Sequence, residues 1–417
     1  MKTLIKNIKQ LVQVEYAPQL KVAGKDMKNL ACINDAWLAI ENDKIVGFGK
    51  MSEWEGITDW TDLTVIDATD KLVLPCWCDS HTHIVFAGSR EGEFVDRING
   101  LTYEEIFQRG GGILNSAKKM KEASEEELIE SGLLRLTEIM HQGTGAVEIK
   151  SGYGLSVDSE LKMLRVIKKI KALTPLPIKA TFLGAHAVPT EYQGRKADYI
   201  KLLINEIMPV IAEEHLADYC DVFCEQNYFT KQETIEILTA AKKYGMSPKV
   251  HAEQLSNYGG VLAGVEAGAI SVDHLEYVGD KEIEALQNSI TMPTILPGAA
   301  FFLSLPFPPA RKMIDAGLSV AVASDYNPGS SPSGNMNLMI SLCCIQYKMT
   351  PEEAINAATI NSAYAMDLSK THGSIAIGKQ ANVFITKEIP NYSFIPYSFG
   401  SNLIETVIIN GKVINKN

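Results

Sequence analysis

The residues best placed by type and spacing to do chemistry are His81 and His83, which close the apolar run Leu72-Val73-Leu74-Pro75-Cys76-Trp77-Cys78-Asp79-Ser80. Residues i and i+2 of a strand project from one face, so both imidazoles can reach a single ion. A lone His-x-His more often reflects packing than ligation, but three later residues change that balance. His251 directly follows a strand ending at Val250, His274 follows Ile270 to Asp273, and Asp325 follows Ala321 to Ser324. Each is a candidate ligand or proton carrier at a strand's carboxyl end. Imidazoles with one carboxylate suit a borderline cation, zinc or iron, better than Ca²⁺ or Mg²⁺, which take oxygen shells. Such an ion lowers the pKa of a water and polarises a carbonyl, so the expected chemistry is hydrolysis.

These residues need a scaffold that gathers strand ends. Apolar strands alternate with amphipathic helices through the middle of the chain: Ala146 to Ile149 precedes a helix over Glu160 to Lys171, and Ile178 to Phe182 precedes one over Ala197 to Glu214. Further strands are expected at Asp221 to Phe223, Ser247 to Val250, Ser271 to Asp273 and Ser319 to Ala323, with a helix over Lys281 to Gln287. This is the pattern of a TIM-like (β/α)8 barrel, whose catalytic groups sit at the carboxyl ends of its strands. The N-terminal segment reads instead as short strands: Ala36 to Ile40, Lys44 to Phe48 and Thr64 to Asp67. The C-terminal segment does the same, with Ala381 to Ile385, and with Leu403 to Ile409 turning at Asn410-Gly411 into Lys412 to Ile414. The expected architecture is α/β, with a barrel over 75–369 and a small β-sandwich domain built from 1–74 and 370–417.

At 417 residues, 46% hydrophobic and 21% charged, the chain suits a large domain with a small companion rather than a disordered polymer. A net charge of −11 argues against a surface for nucleic acid or anionic lipid, so an anionic substrate must be gripped by local cations. Charge interrupts Met1 to Lys6 before an apolar run of signal length builds, and no stretch of ~18 apolar residues follows. A cytoplasmic location is expected. Seven cysteines, an odd count, read as buried thiols rather than a disulfide framework. Cys76-Trp77-Cys78 and Cys343-Cys344 lack the spacer of a zinc knuckle. Gly110-Gly111-Gly112 lacks the lysine and strand context of a phosphate loop and reads as a mobile or tight loop near the site.

The order His-x-His after the first barrel strand, then His251, His274 and a late Asp325, resembles the amidohydrolase superfamily over nearly the whole chain. Gly373-Ser374-Ile375 through Gly378-Lys379-Gln380-Ala381-Asn382 is similar to the segment that leads back into that superfamily's companion domain. Asn382 stands where its members often carry aspartate, a difference expected to be structural and neutral for mechanism. Five stretches resemble the imidazolonepropionase family within it: His81-Thr82-His83 with Phe86-Ala87-Gly88-Ser89-Arg90, Glu148-Ile149-Lys150-Ser151-Gly152-Tyr153-Gly154, Phe182-Leu183-Gly184-Ala185-His186, His251-Ala252-Glu253-Gln254, and Ser324-Asp325-Tyr326-Asn327-Pro328-Gly329-Ser330. The resemblance implies a small-molecule substrate, 4-imidazolone-5-propanoate, opened to N-formimidoyl-L-glutamate in histidine degradation. It implies one Zn²⁺ or Fe²⁺/Fe³⁺ per chain, held at His81, His83, His251 and Asp325, with His274 beside the attacking water. Substrate contacts carry over to Arg90, Tyr103, Tyr153, His186, Asn327, Gly329 and Ser330.

The side-chain chemistry agrees with this transfer. Arg90 can grip a propionate with two parallel hydrogen bonds, and the glycines flanking Tyr153 let the backbone approach a ligand. His186 can donate to a carboxylate or to the ring. Asn327, Gly329 and Ser330 form a polar turn where a backbone amide can meet a carboxylate. His274 and Asp325 are the candidate proton carriers. Deaminases of the superfamily carry an acid three residues beyond the histidine, where this chain has Gln254; an amide cannot shuttle a proton, so Gln254 is expected to hydrogen-bond the substrate. Two other readings stand beside this one. A deaminase of a purine or pyrimidine base is disfavoured by Gln254, and an inactive scaffold would have no reason to keep a complete ligand set. Some relatives bridge two metals with a carboxylated lysine, which raises the question of Lys150; the motif around it belongs to the single-metal branch. A homodimer is the default assembly.

Overall fold

The computed structural model describes residues 1–56, 61–101, 105–106 and 109–414. Tyr103 lies outside the described residues. Five strands open the chain: β1 (Lys2–Val12), β2 (Cys32–Glu41), β3 (Lys44–Lys50), β4 (Leu63–Asp67) and β5 (Lys71–Pro75). A parallel set follows, β6 (Trp77–Asp79), β7 (Thr144–Lys150), β8 (Ile178–Ala185), β9 (Tyr219–Cys224), β10 (Ser247–Ala252), β11 (Ser271–His274), β12 (Met292–Ile295) and β13 (Ala321–Val322), each strand paired with its neighbours in sequence. The chain ends with β14 (Val383–Glu388), β15 (Ile404–Ile409) and β16 (Lys412–Ile414).

The parallel strands form a nearly closed (β/α)8 barrel. Its helices start where capping chemistry places them: the Thr230 side chain accepts from Glu233 N and Glu233 reaches back, which fixes the start of helix Lys231–Lys243. That helix buries Thr234, Ile237, Leu238 and Ala241, a helical stripe turned to the barrel. The barrel closes just beyond the ends of β6 and β13. There Ser324 N donates to Asp79 Oδ1 (2.9 Å), Asp325 N to His81 O (3.0 Å) and His83 N to Tyr326 O (2.9 Å). Closure therefore sets His81, His83 and Asp325 against one another.

The termini build a separate, sandwich-like sheet. β1 lies at its centre, antiparallel to β2; the first half of β1 pairs with β4 and the second half with β5. A bulge at Asn7, φ 55°, separates those halves. Ile5, Ile8, Leu11, Leu38, Val73, Val383, Ile385 and Ile408 make its core. β15 and β16 turn at Asn410-Gly411, with φ of 49° and 74°, the left-handed pair that a two-residue hairpin requires.

Four elements depart from the sequence reading. β1 was not expected, because Lys2, Lys6 and Lys9 break its apolar pattern although Leu4, Ile5, Ile8 and Leu11 are all buried. β12 is four residues long and carries Pro293, which masks its strand character. The apolar run Leu72 to Cys78 is two strands in two sheets, switching where Cys76 N donates to Asn382 O and Trp77 N to Gly143 O, each at 2.9 Å. The helix expected over Ala197 to Glu214 carries a π-turn at Leu203–Ile207, just before Pro209, whose missing N–H a regular helix could not accommodate. All seven cysteines are free, and no helix among the described residues is long and apolar enough to cross a membrane.

Asn382 ties the two sheets together. Its Nδ2 donates to Gly145 O (2.8 Å) at the start of β7, and its Oδ1 accepts from Asn410 N (2.7 Å) in the β15–β16 hairpin. Aspartate could accept from Asn410 but could not donate to Gly145. Asn382→Asp is therefore expected to lower unfolding stability by about 1–3 kcal/mol, read as a lower urea midpoint with unchanged slope; an unchanged midpoint would show that the amide does not hold the sheets.

Candidate active site

His81, His83, His251, His274 and Asp325 converge at the carboxyl end of the barrel, all buried. The ring of His81 lies 4.5 Å from that of His251, 5.3 Å from His83 and 5.5 Å from His274, centroid to centroid. Asp325 Oδ1 is 3.5 Å from His81 Nε2 and 3.6 Å from His83 Nε2. Ligands bound to a tetrahedral zinc at ~2.1 Å stand ~3.4 Å apart, so these separations fit a shared ion. Donor atoms of His81, His251 and His274 also lie within 4.8 Å of one another. Burial first, then the neighbouring cationic groups, pushes His81 and His83 well below the ordinary histidine range and leaves them neutral, the form that ligates. His81 Nε2 is buried with no hydrogen-bond partner, a state that a bound cation relieves. Backbone strain concentrates here: Glu253, His274, Leu275 and Asp325 all have positive φ, from 52° to 89°.

Behind these groups sits a layer of charge of which the sequence reading singled out only Lys150. His81 Nδ1 meets Asp273 Oδ2 at 2.6 Å and His251 Nδ1 meets Asp221 Oδ2 at 2.9 Å. A carboxylate that takes the Nδ1 proton fixes the tautomer whose Nε2 lone pair faces inward. Lys150 Nζ donates to Glu148 (2.6 Å) and Asp221 (2.8 Å) and lies 3.8 Å from Asp273. Lys249 Nζ pairs with Glu148, donates to Ser80 O (2.9 Å) and lies 3.9 Å from Asp273. Burial pushes Lys150 down, but Asp221, Glu148 and Asp273 outweigh it and keep the ammonium charged. The signal that could have found this layer is a charged residue inside an otherwise apolar barrel strand, as at Glu148, Lys150, Asp221 and Lys249.

His83, His251, His274 and Asp325 border a cavity of about 580 Å³ whose lining includes Arg90, Tyr153, His186, Gln254, Asn327, Gly329 and Ser330. Every described substrate candidate thus reaches one space. Arg90 Nε and Nη2 both contact Glu93 Oε2, at 2.8 and 2.6 Å, and a Cβ on Gly329 would meet Arg90 Nη1 at 2.1 Å, so only glycine lets the guanidinium lie there. The Gly329 and Ser330 amides, expected to face a carboxylate, both donate to Asn327 Oδ1 at 2.8 Å. Ser330 Oγ donates to Asp325 Oδ2 at 3.2 Å, so this turn holds Asp325 in place. His186 Nδ1 lies 3.0 Å from Gly152 O and must donate to it. Burial pushes His186 down to about 3, so the ring is neutral in this structure and Nε2 is left as an acceptor. Glu253 turns away and accepts from Gly259 N (2.9 Å) and Val261 N (2.8 Å) at the start of helix Gly260–Ala267. Gly112 N donates to Glu93, which makes the triple-glycine stretch a tight loop beside the cavity. Arg97 also lines the cavity, donating to Gly329 O at 3.1 Å and stacking over Phe302; nothing in its local sequence distinguishes it from a surface arginine.

The sequence profile of the amidohydrolase family matches residues 72–414. An imidazolonepropionase of Christiangramia forsetii is 60% identical over 414 residues, covering 99% of this chain and 100% of that protein. One from Alkaliphilus oremlandii is 41% identical over 411 residues, covering 98% and 97%. Among solved structures, the zinc complex of atrazine chlorohydrolase from Arthrobacter aurescens superposes with a TM-score of 0.75 at 14% identity over 99% of this chain and 94% of that one. Guanine deaminase of E. coli superposes at 0.72 with 13% identity over 99% of each chain. These structures share the fold, whereas the sequence relatives reach further. With identity of this degree along its full length, the chain belongs to the amidohydrolase family and, within it, to the imidazolonepropionases.

Proposed function

We propose that the chain hydrolyses the cyclic amide C–N bond of 4-imidazolone-5-propanoate and releases N-formimidoyl-L-glutamate. The observation that carries this reading is the single cavity in which His83, His251, Asp325, Arg90 and Gln254 meet. It joins a group suited to an ion, a cation for the propionate, and an amide where a deaminase needs an acid. The ion is one Zn²⁺ or Fe²⁺/Fe³⁺ per chain, held by His81, His83, His251 and Asp325. When bound, it activates water near neutral pH and polarises the carbonyl under attack. Lys150 is committed to three carboxylates and offers no neutral amine for carboxylation, which supports a single ion.

The remaining work belongs to the side chains. His274 and Asp325 accept the water's proton and pass it to the leaving ring nitrogen. Burial pushes His274 down, but Glu276, Asp325 and Asp273 outweigh it and hold the ring above the ordinary histidine range. Arg90 shifts part of its guanidinium from Glu93 to the propionate. His186 Nε2 accepts a ring N–H, and Gln254 and Tyr153 fix the ring's orientation, with Tyr103 as a further contact. Asn327, Gly329 and Ser330 keep Asp325 and Arg90 in register. The reading includes two domains, 75–369 and the composite of 1–74 with 370–417, supported by the sheet switch at Cys76. A homodimer in the cytoplasm completes it, the latter in keeping with seven free thiols.

The deciding assay follows loss of 4-imidazolone-5-propanoate beside ammonia release from guanine and cytosine. Turnover of the imidazolone alone is expected, and ammonia from a base would replace this reading with a deaminase. Purified protein is expected to carry about one zinc or iron per chain, and chelation should abolish turnover until metal is restored; full activity in metal-free protein would end the hydrolytic account. Arg90→Ala is expected to raise KM by ~10- to 100-fold with kcat little changed, the effect of losing a charged hydrogen-bond pair. Unchanged kinetics would place the propionate elsewhere.

A further inference from the structure

Glu276 lies behind His274, outside the cavity lining, with its side chain fully buried. No donor lies within 3.5 Å in hydrogen-bonding geometry of either carboxylate oxygen, and His274 Nδ1 stands 3.7 Å from Glu276 Oε1. Among the described residues His274 is its single ion-pair partner. A buried carboxylate without a donor is strongly disfavoured, so this pair is built to meet. The backbone is bent to bring them together: His274 and Leu275 are consecutive non-glycine residues with φ of 89° and 75°, a strain that persists only where the surroundings enforce it. The buried Tyr347 hydroxyl is also unpartnered. Asp325, His81 and His251 face the ring from other strand ends, and Asp273 precedes it on its own strand.

We propose that Glu276 is a positioning residue for the hydrolysis, accepting the Nδ1 proton of His274 so that Nε2 faces the reacting water. The pairing parallels His81 with Asp273 at 2.6 Å and His251 with Asp221 at 2.9 Å, though at a longer 3.7 Å, and those two carboxylates are also neutralised by lysines. Among the described residues no lysine pairs with Glu276, and His274 is its ion-pair partner. In the reaction, Nε2 takes a proton from water as the C–O bond forms and returns it to the ring nitrogen as the C–N bond breaks. The Nδ1 proton stays between ring and carboxylate throughout. This rests on the proposed role of His274.

The test uses metal-loaded protein with Glu276→Gln, which keeps an acceptor but no charge, and Glu276→Leu, which keeps neither. The expected result is kcat lower by ~10-fold or more in the first and ~100-fold or more in the second, with KM and metal content unchanged. Nitrogen-15 spectra of the His274 ring should show the proton on Nδ1 in the parent and the glutamine variant and its loss from that site in the leucine variant. Wild-type kcat in Glu276→Leu overturns the proposal, as does a fall in Glu276→Gln that tracks metal loss or KM. If the leucine variant does not fold, the glutamine kinetics and the parent's ring spectrum decide alone. A parent protein inactive on the imidazolone refutes the proposed function, while the ring spectrum still reports separately on the Glu276 contact.

Discussion

Taking one ammonium out of the layer formed by Glu148, Lys150, Asp221, Lys249 and Asp273 would strand carboxylates in the barrel interior, where an unpaired charge costs about 3–5 kcal/mol. All five side chains are fully buried. Asp221 and Asp273 are the carboxylates that hold His251 and His81, so the aim of two imidazoles rests on the lysines beneath them. Burial pushes Asp221 up, yet its contacts with His251 and the Lys150 ammonium outweigh it and hold the carboxylate well below its usual range. Three acids against two bases leave an excess of negative charge under the histidines. That excess favours a cation above it.

The second dependence is on closure. Bonds from Asp79, His81 and His83 to Ser324, Asp325 and Tyr326 join the first barrel strand to the last. The same residues carry two imidazoles and the carboxylate of the candidate metal group. Architecture and chemistry therefore share atoms at this seam, whereas His251 and His274 come from strands already set in the ladder. The turn after Asp325 spends its amides on Asn327 and its hydroxyl on Asp325 itself, so it stiffens the seam more than it offers donors to a ligand.

How much of this was legible follows from what each residue must satisfy. A histidine or aspartate that ends an apolar run stands out, and those positions converge. The strands between helices were legible for the same reason, since a buried parallel strand is a run of apolar residues. The division of Leu72 to Cys78 was not, because apolar character says that a segment is buried but not in which sheet. β1 was hidden by its lysines, whose long stems leave the strand while their charges blur its pattern. The charge layer was hidden because pairing is a property of the closed barrel: nothing near Glu148 in sequence points to Lys249. Glu276 sits in a stretch that reads as the loop after a strand, and only the bend at His274 and Leu275 turns it to use.

The seam also fixes an order of assembly. Asp79 and Ser324 are 245 positions apart, so a chain emerging from its N-terminus presents His81 and His83 long before the carboxylate that completes their group. Two imidazoles alone are a weak and indiscriminate trap for transition metals. The full set exists only once the last barrel strand has docked, and an ion that binds only the docked form favours docking in proportion to its affinity. An ion held by this set would clasp the joint between β6 and β13, which among the described residues is closed by an isolated bridge rather than a regular ladder.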